Sequence, residues 1–133
     1  MALHKIILAF LLLLATLQTL AAENLTLTNR WYVSLRTVDR PSFERLLTND
    51  AQIELKQLGV IQDKTEFIES LDNWDDVAAD LLISNTIVSS SQTRIVLDVC
   101  YQFPSDSFTN RETFFFKAGR IERQVQERLR EEC

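Results

Sequence analysis

After Asp80 the apolar residues recur at every second position, whereas before it they recur at every third or fourth. That change of period gives the chain a helical front and a stranded back, and runs of one element type followed by the other point to an α+β fold. Four strands are expected, Leu81–Ser89, Thr93–Phe103, Phe108–Lys117 and Arg120–Leu129, separated by Ser90-Ser91-Gln92, Pro104–Ser107 and Ala118-Gly119. Connections this short make antiparallel neighbours, a meander. Ile95, Leu97, Val99, Tyr101 and Phe103 share one face, and Glu112, Phe114 and Phe116 share a face opposite Arg111, Thr113 and Phe115.

In the front half, Thr28, Trp31, Tyr32, Leu35 and Val38 form one stripe of a helix over Leu25–Val38. Asp39 and Pro41 open a second, short helix with Phe43, Leu46 and Leu47 on its apolar face, and Thr48-Asn49-Asp50 ends it. Ala51, Ile53 and Leu55 alternate with polar residues as a short strand, and Val60 and Ile61 return as the other arm of a small hairpin. Asp63 with Glu66 three residues on is close to a capping box, opening a helix that buries Phe67, Ile68, Leu71 and Trp74. Three helices on one face of a curved sheet leave a cone whose open end is a natural pocket.

Residues 1–22 are unlike the rest. His4 and Lys5 make a weakly basic start, Ile6–Leu17 is almost wholly apolar, and Thr19-Leu20-Ala21 puts small residues at a signal-peptidase spacing. This is the pattern of a cleavable secretory signal, followed by one domain over 23–133 in a secreted or periplasmic location. An uncleaved anchor is the alternative, although a dozen apolar residues fall short of the roughly 20 that span a bilayer. Cleavage would remove the single histidine and Lys5 but no acid, leaving 13 basic against 19 acidic side chains, a net charge of −6. An acidic domain repels nucleic-acid phosphates and anionic lipid, so neither nucleic acid nor, after cleavage, membrane is an expected partner.

Cys100 and Cys133 suit a disulfide in an oxidising compartment. Two free thiols, or Cys133 on a tail bridging two subunits, are the competing readings. Two glycines build no phosphate loop, and neither metal-ligand spacing nor a histidine triad is present, so no cofactor or metal is expected. The acidic run Asp72, Asp75, Asp76 and Asp80 lacks the alternation and glycine turn of a calcium loop and reads as solvated. Asn24-Leu25-Thr26 matches a glycosylation sequon, relevant only in a eukaryotic host.

The order of elements, with Trp31-Tyr32-Val33-Ser34-Leu35, Asn49-Asp50-Ala51 and Leu82-Ile83-Ser84-Asn85, resembles the nuclear transport factor 2-like superfamily, and within it the SnoaL-like polyketide cyclases and ketosteroid isomerases. The resemblance spans about Leu25 to Leu129. It implies a cone-shaped fold with an apolar cavity, often dimeric through the outer sheet face. It also matches Tyr32 to an oxyanion-donating tyrosine and Glu112 to a protonated acid donor. The general-base position holds Leu55, and a position often occupied by histidine holds Leu81; neither moves a proton.

Tyr32 is either a core aromatic or a ligand contact. Glu112, inward among apolar neighbours, needs neutralisation, a function in the pocket, or a partner such as Arg94 or Arg123; a one-residue shift of face is the other escape. Glu54 adjoins the missing base but lies on the solvent phase, and Asp98 lies on the outer phase. Phe115 points outward, where a subunit interface would use it. The expected ligand-binding set is Tyr32, Leu55, Leu81, Tyr101, Glu112, Phe114 and Phe116. The leading expectation is a non-catalytic pocket domain that binds a small apolar molecule or acts as a homodimeric interaction module. The second is an isomerase, cyclase or dehydratase in which Tyr32 and Glu112 stabilise an enolate, with Glu54 or water as base. A purely structural subunit with a filled cavity is the third.

Overall fold

The computed structural model describes residues 2–133. Its first helix, α1 (Ala2–Thr37), is continuous across the expected signal boundary. The described side chains between Leu3 and Leu20 are exposed, whereas Asn24, Thr28, Trp31, Tyr32 and Leu35 are buried at three- and four-residue spacing. Packing into the domain therefore begins at Asn24. The exposed part contains an 18-residue window of mean hydropathy 2.1, longer than the dozen residues counted from the apolar run. By length and composition it fits a bilayer span as well as a signal sequence. Asn24, the sequon asparagine, is 5 % exposed and its Nδ2 donates to the Gln92 carbonyl at 2.6 Å.

The helix stops at Thr37 because Val38 takes a positive φ of 54°, strained for a β-branched residue, and the Asp39 amide bonds back to the Ser34 carbonyl. Asp39 caps α2 (Arg40–Leu46) by accepting from the Ser42 amide. Strand β1 (Leu47–Leu55) begins earlier than the alternation suggests and absorbs Thr48-Asn49-Asp50. A register shift between Leu47 and Gln52 interrupts the alternation there. A short 3-10 turn (Lys56–Leu58) with Gly59 at φ 64° leads to β2 (Val60–Asp63). The capping box of Asp63 and Glu66 opens α3 (Lys64–Val77).

Strands β3 (Leu82–Ser90), β4 (Arg94–Gln102), β5 (Ser107–Lys117) and β6 (Arg120–Arg130) fall within two residues of their expected bounds. One curved sheet that does not close has the order β2-β1-β6-β5-β4-β3. It is antiparallel apart from one pair. Hairpin β1–β2 joins the meander by laying β1 parallel to β6, a contact that periodicity does not specify. The helices pack on the inner face, where Trp31 meets Phe43, Phe67 and Phe114 with ring centroids 5.0, 5.1 and 5.5 Å away. Cys100 and Cys133 form an intramolecular disulfide, Cα atoms 5.5 Å apart, that ties the end of the chain to β4.

Candidate functional site

The inner faces of β4, β5 and β6 carry an unusual set for a core: Tyr101, Asn110, Glu112 and Gln124 are all buried beside Leu97 and Phe114. Register brings them together. Glu112 lies between Leu97 on β4 and Gln126 on β6, with Asn110 two residues before it on the same face. Glu112 is 0 % exposed, and the four groups around it all donate to its carboxylate. Tyr32 Oη and Gln124 Nε2 donate to Oε1 at 2.8 and 3.0 Å, while Tyr101 Oη and Asn110 Nδ2 donate to Oε2 at 2.7 and 3.3 Å. An ionised carboxylate has about four lone-pair sites, so this one is saturated.

No cation touches it among the described residues. Of the two suggested partners, Arg94 is exposed and Arg123 instead donates to Glu54 at 2.6 Å and lies over the half-buried Phe115 ring. Outer-face Arg111 likewise pairs with Asp98, which holds the Asp98 carboxyl below its usual range. Burial pushes the Glu112 pKa up, against the opposing pull of its hydrogen bonds. Burial first, and then the Glu112 charge, raise Tyr32 and Tyr101 well above the usual phenol value, so both hydroxyls keep the protons they donate.

Next to this cluster a cavity of about 470 Å³ opens between α3, the end of β1 and the meander, within the size range of small-molecule pockets. Its apolar walls include Leu35, Leu55, Phe67, Trp74 and Phe108. Its polar groups are Gln62, Ser70, Asn73, Tyr101, Asn110 and Gln126, and no described lining residue carries a charge. The saturated cluster and the cavity share Tyr101 and Asn110.

Of the residues expected at the ligand, Leu55 and Tyr101 line this cavity. Tyr32, Glu112, Phe114, Phe116 and Leu81 lie in the packed core beneath and beside it. Phe114 packs edge-on against Trp31 and Tyr32, which leaves it no open side there. Glu54 sits on the outer face with Arg123. Sequence reading passed over Asn110, Gln124, Gln126 and Arg128. The polar alternation Gln124, Gln126, Arg128 was the available signal. A register shift between Phe115 and Phe116 breaks its phase with Ile121 and hides which side it faces. Arg128 donates to Asn110 Oδ1 at 3.0 Å and lies 3.7 Å above the Phe108 ring, at a smaller adjoining cavity of about 250 Å³. Arg40 takes up Asp72 from the acidic run in an ion pair.

A proposed ketosteroid isomerase from Kribbella flavida superposes with a TM-score of 0.67 at 14 % identity, over 85 % of this chain and 79 % of that one. A proposed polyketide cyclase from Xanthomonas campestris gives 0.61 at 15 %, covering 80 % and 90 %. The chain has the nuclear transport factor 2-like fold. A nuclear transport factor 2-like protein of unknown function from Cytophaga hutchinsonii matches equally well, with a TM-score of 0.67 at 9 % identity over 83 % of this chain and 99 % of that one. At such identities the likeness speaks for the nuclear transport factor 2-like fold and not for a reaction. No protein-family model matches the chain, and no curated protein matches it.

Proposed function

We propose that this chain is an exported domain that holds a small, apolar molecule in its cavity and does no chemistry on it. The observation that carries this reading is the contrast at the cavity floor: an uncharged, largely apolar hollow lies beside a carboxylate whose lone pairs are all occupied. An enolate-stabilising site needs donors aimed at the ligand, yet the Tyr32 and Tyr101 hydroxyls are turned to Glu112. Leu55, at the position of the base, offers no proton acceptor. The isomerase and cyclase descriptions of two structural neighbours favour the catalytic alternative at the level of fold. The raised Glu112 pKa is the one local feature that agrees with them.

Export is supported by the onset of burial at Asn24, just after the signal pattern, and by the disulfide. Exposed Leu82, Ile87 and Val88 on edge strand β3 favour a second copy of the chain as partner; sedimentation velocity of purified protein checks it, with a monomer at all concentrations as the contrary result.

Native mass spectrometry of protein recovered from its host is expected to reveal a bound neutral molecule. Enolisation of an unsaturated ketone is expected at the background rate for wild type, Tyr32→Phe and Glu112→Gln alike. A wild-type rate well above background that both substitutions abolish would overturn the non-catalytic reading.

A further inference from the structure

We propose that the ligand of this cavity is neutral and presents a hydrogen-bond donor, a hydroxyl or an N–H, to Gln126 Oε1. This rests on the cavity-binding reading above and specifies the chemistry of the occupant. Its basis is a hydrogen-bond chain whose direction is fixed by its charged end. The Glu112 carboxylate is an acceptor only, so Gln124 must turn its NH2 group toward it, at 3.0 Å. That leaves Gln124 Oε1 as the acceptor for its neighbour, and Gln126 turns its own NH2 group to it, also at 3.0 Å. Gln126 Oε1 then remains without a partner among the described residues, on a side chain that lines the cavity. In a second branch Asn110 donates from its NH2 group to Glu112, and its oxygen accepts from Arg128, which is a donor only. Tyr101, which also lines the cavity, has its proton committed to Glu112. The second N–H of each amide aside, the oxygen that this network leaves open toward a ligand is Gln126 Oε1.

Charge favours a neutral occupant. Arg128, which lines the smaller adjoining cavity, already pairs with Glu131 and is linked to the Glu112 carboxylate through Asn110. One cation thus sits between two carboxylates, so a ligand anion would meet a net negative surrounding.

The test is calorimetric titration of the purified protein with three probes that share one ring body: 2-naphthol, with a donor; 2-methoxynaphthalene, with an acceptor only; and 2-naphthoate, with a charge. 2-Naphthol is expected to bind about tenfold more tightly than either of the others, the worth of one net hydrogen bond. In Gln126→Leu that preference over 2-methoxynaphthalene is expected to shrink to within twofold while 2-methoxynaphthalene binding is kept, which shows that the cavity is intact. Gln126→Glu, which retains an acceptor, is expected to keep the preference for 2-naphthol over 2-methoxynaphthalene. Equal binding of 2-naphthol and 2-methoxynaphthalene by wild type would overturn the donor assignment and leave the cavity reading standing. Tightest binding of 2-naphthoate would overturn neutrality and point to Arg128 as the reader. Binding of none of the three would overturn the cavity reading and this one with it.

Discussion

Tyr101 and Asn110 stand on the border of two regions with opposite character. On one side, around Glu112, hydrogen-bond donors and acceptors are matched and buried. On the other, the cavity exposes polar groups that lack partners within the described residues: Gln62 and Asn73 make no side-chain hydrogen bond, and Gln126 keeps a free oxygen. A polar network buried in a core is stable only when it is complete, because the low dielectric penalises each unpaired group. Open valences are tolerated where water or a ligand reaches them. The fold thus separates a closed polar cluster from a cavity whose polar groups are left open.

The sharpest way to break this division is to remove the acceptor of the closed cluster. Glu112→Leu leaves the two tyrosine hydroxyls, Asn110 and Gln124 without their shared partner. At about 1–3 kcal/mol for each buried group left unsatisfied, the loss is expected to exceed about 3 kcal/mol. Urea unfolding measures it, and a loss below about 1 kcal/mol would mean that the cluster is not what holds these strands in place. Reduction of the Cys100–Cys133 disulfide ranks next, at about 2–4 kcal/mol for a closed loop of 33 residues. The bridge touches the cavity wall only at backbone, with Cys133 Sγ 3.8 and 3.5 Å from the Tyr101 and Phe108 carbonyl oxygens, so the affinity for 2-naphthol is expected to stay within twofold of the oxidised protein at temperatures where both are folded.

Acid dependence sharpens the same contrast. The folded-state pKa of Glu112 is raised, so the folded chain holds this proton more tightly than the unfolded chain does. Between the two pKa values the native state binds more protons, and stability falls as pH rises. Wild-type stability relative to Glu112→Gln is therefore expected to decline as pH rises from about 4, by about 1.4 kcal/mol for each pKa unit separating the two states. Asp39 and Asp98, whose pKa values are lowered, contribute stability that is lost as pH falls. Both proteins share that contribution, so the difference cancels it. A relative stability that rises with pH would mean that the four hydrogen bonds outweigh burial.

Much of the fold was legible because the relevant forces are local. Period-two patterning located four strands, and the pair Asp63 and Glu66 located the start of α3. The inward aim of Glu112 followed from its shared phase with Phe114 and Phe116. Its partners did not, because they come from α1, β4 and β6 and meet only through tertiary register. A cation was one expected means of holding a buried acid, beside neutralisation or a role in the pocket, whereas four neutral donors surround it here. Gln124 and Gln126 went unnoticed in a strand rich in charge, since the register shift beside Phe116 erases the phase that would have turned them inward. A pocket at the open end of the cone was expected, but most of its lining was hidden: it depends on where α3 and Trp74 stand off from the sheet, which composition does not encode.

The finest division lies between the two tyrosines. Each donates one hydrogen bond to Glu112, and each is almost fully buried, so Tyr32→Phe and Tyr101→Phe are expected to lower stability by a similar amount, about 1 kcal/mol. Only Tyr101 also lines the cavity. Its loss is therefore expected to weaken 2-naphthol binding severalfold, while Tyr32→Phe leaves that affinity within twofold of wild type. Urea unfolding and calorimetric titration on the same preparations give both numbers. If Tyr32→Phe weakened binding as much as Tyr101→Phe, the closed cluster and the open cavity would be one site. The Tyr32 hydroxyl would then reach the ligand in solution, and an arrangement that stabilises an enolate would again be the better account of this fold.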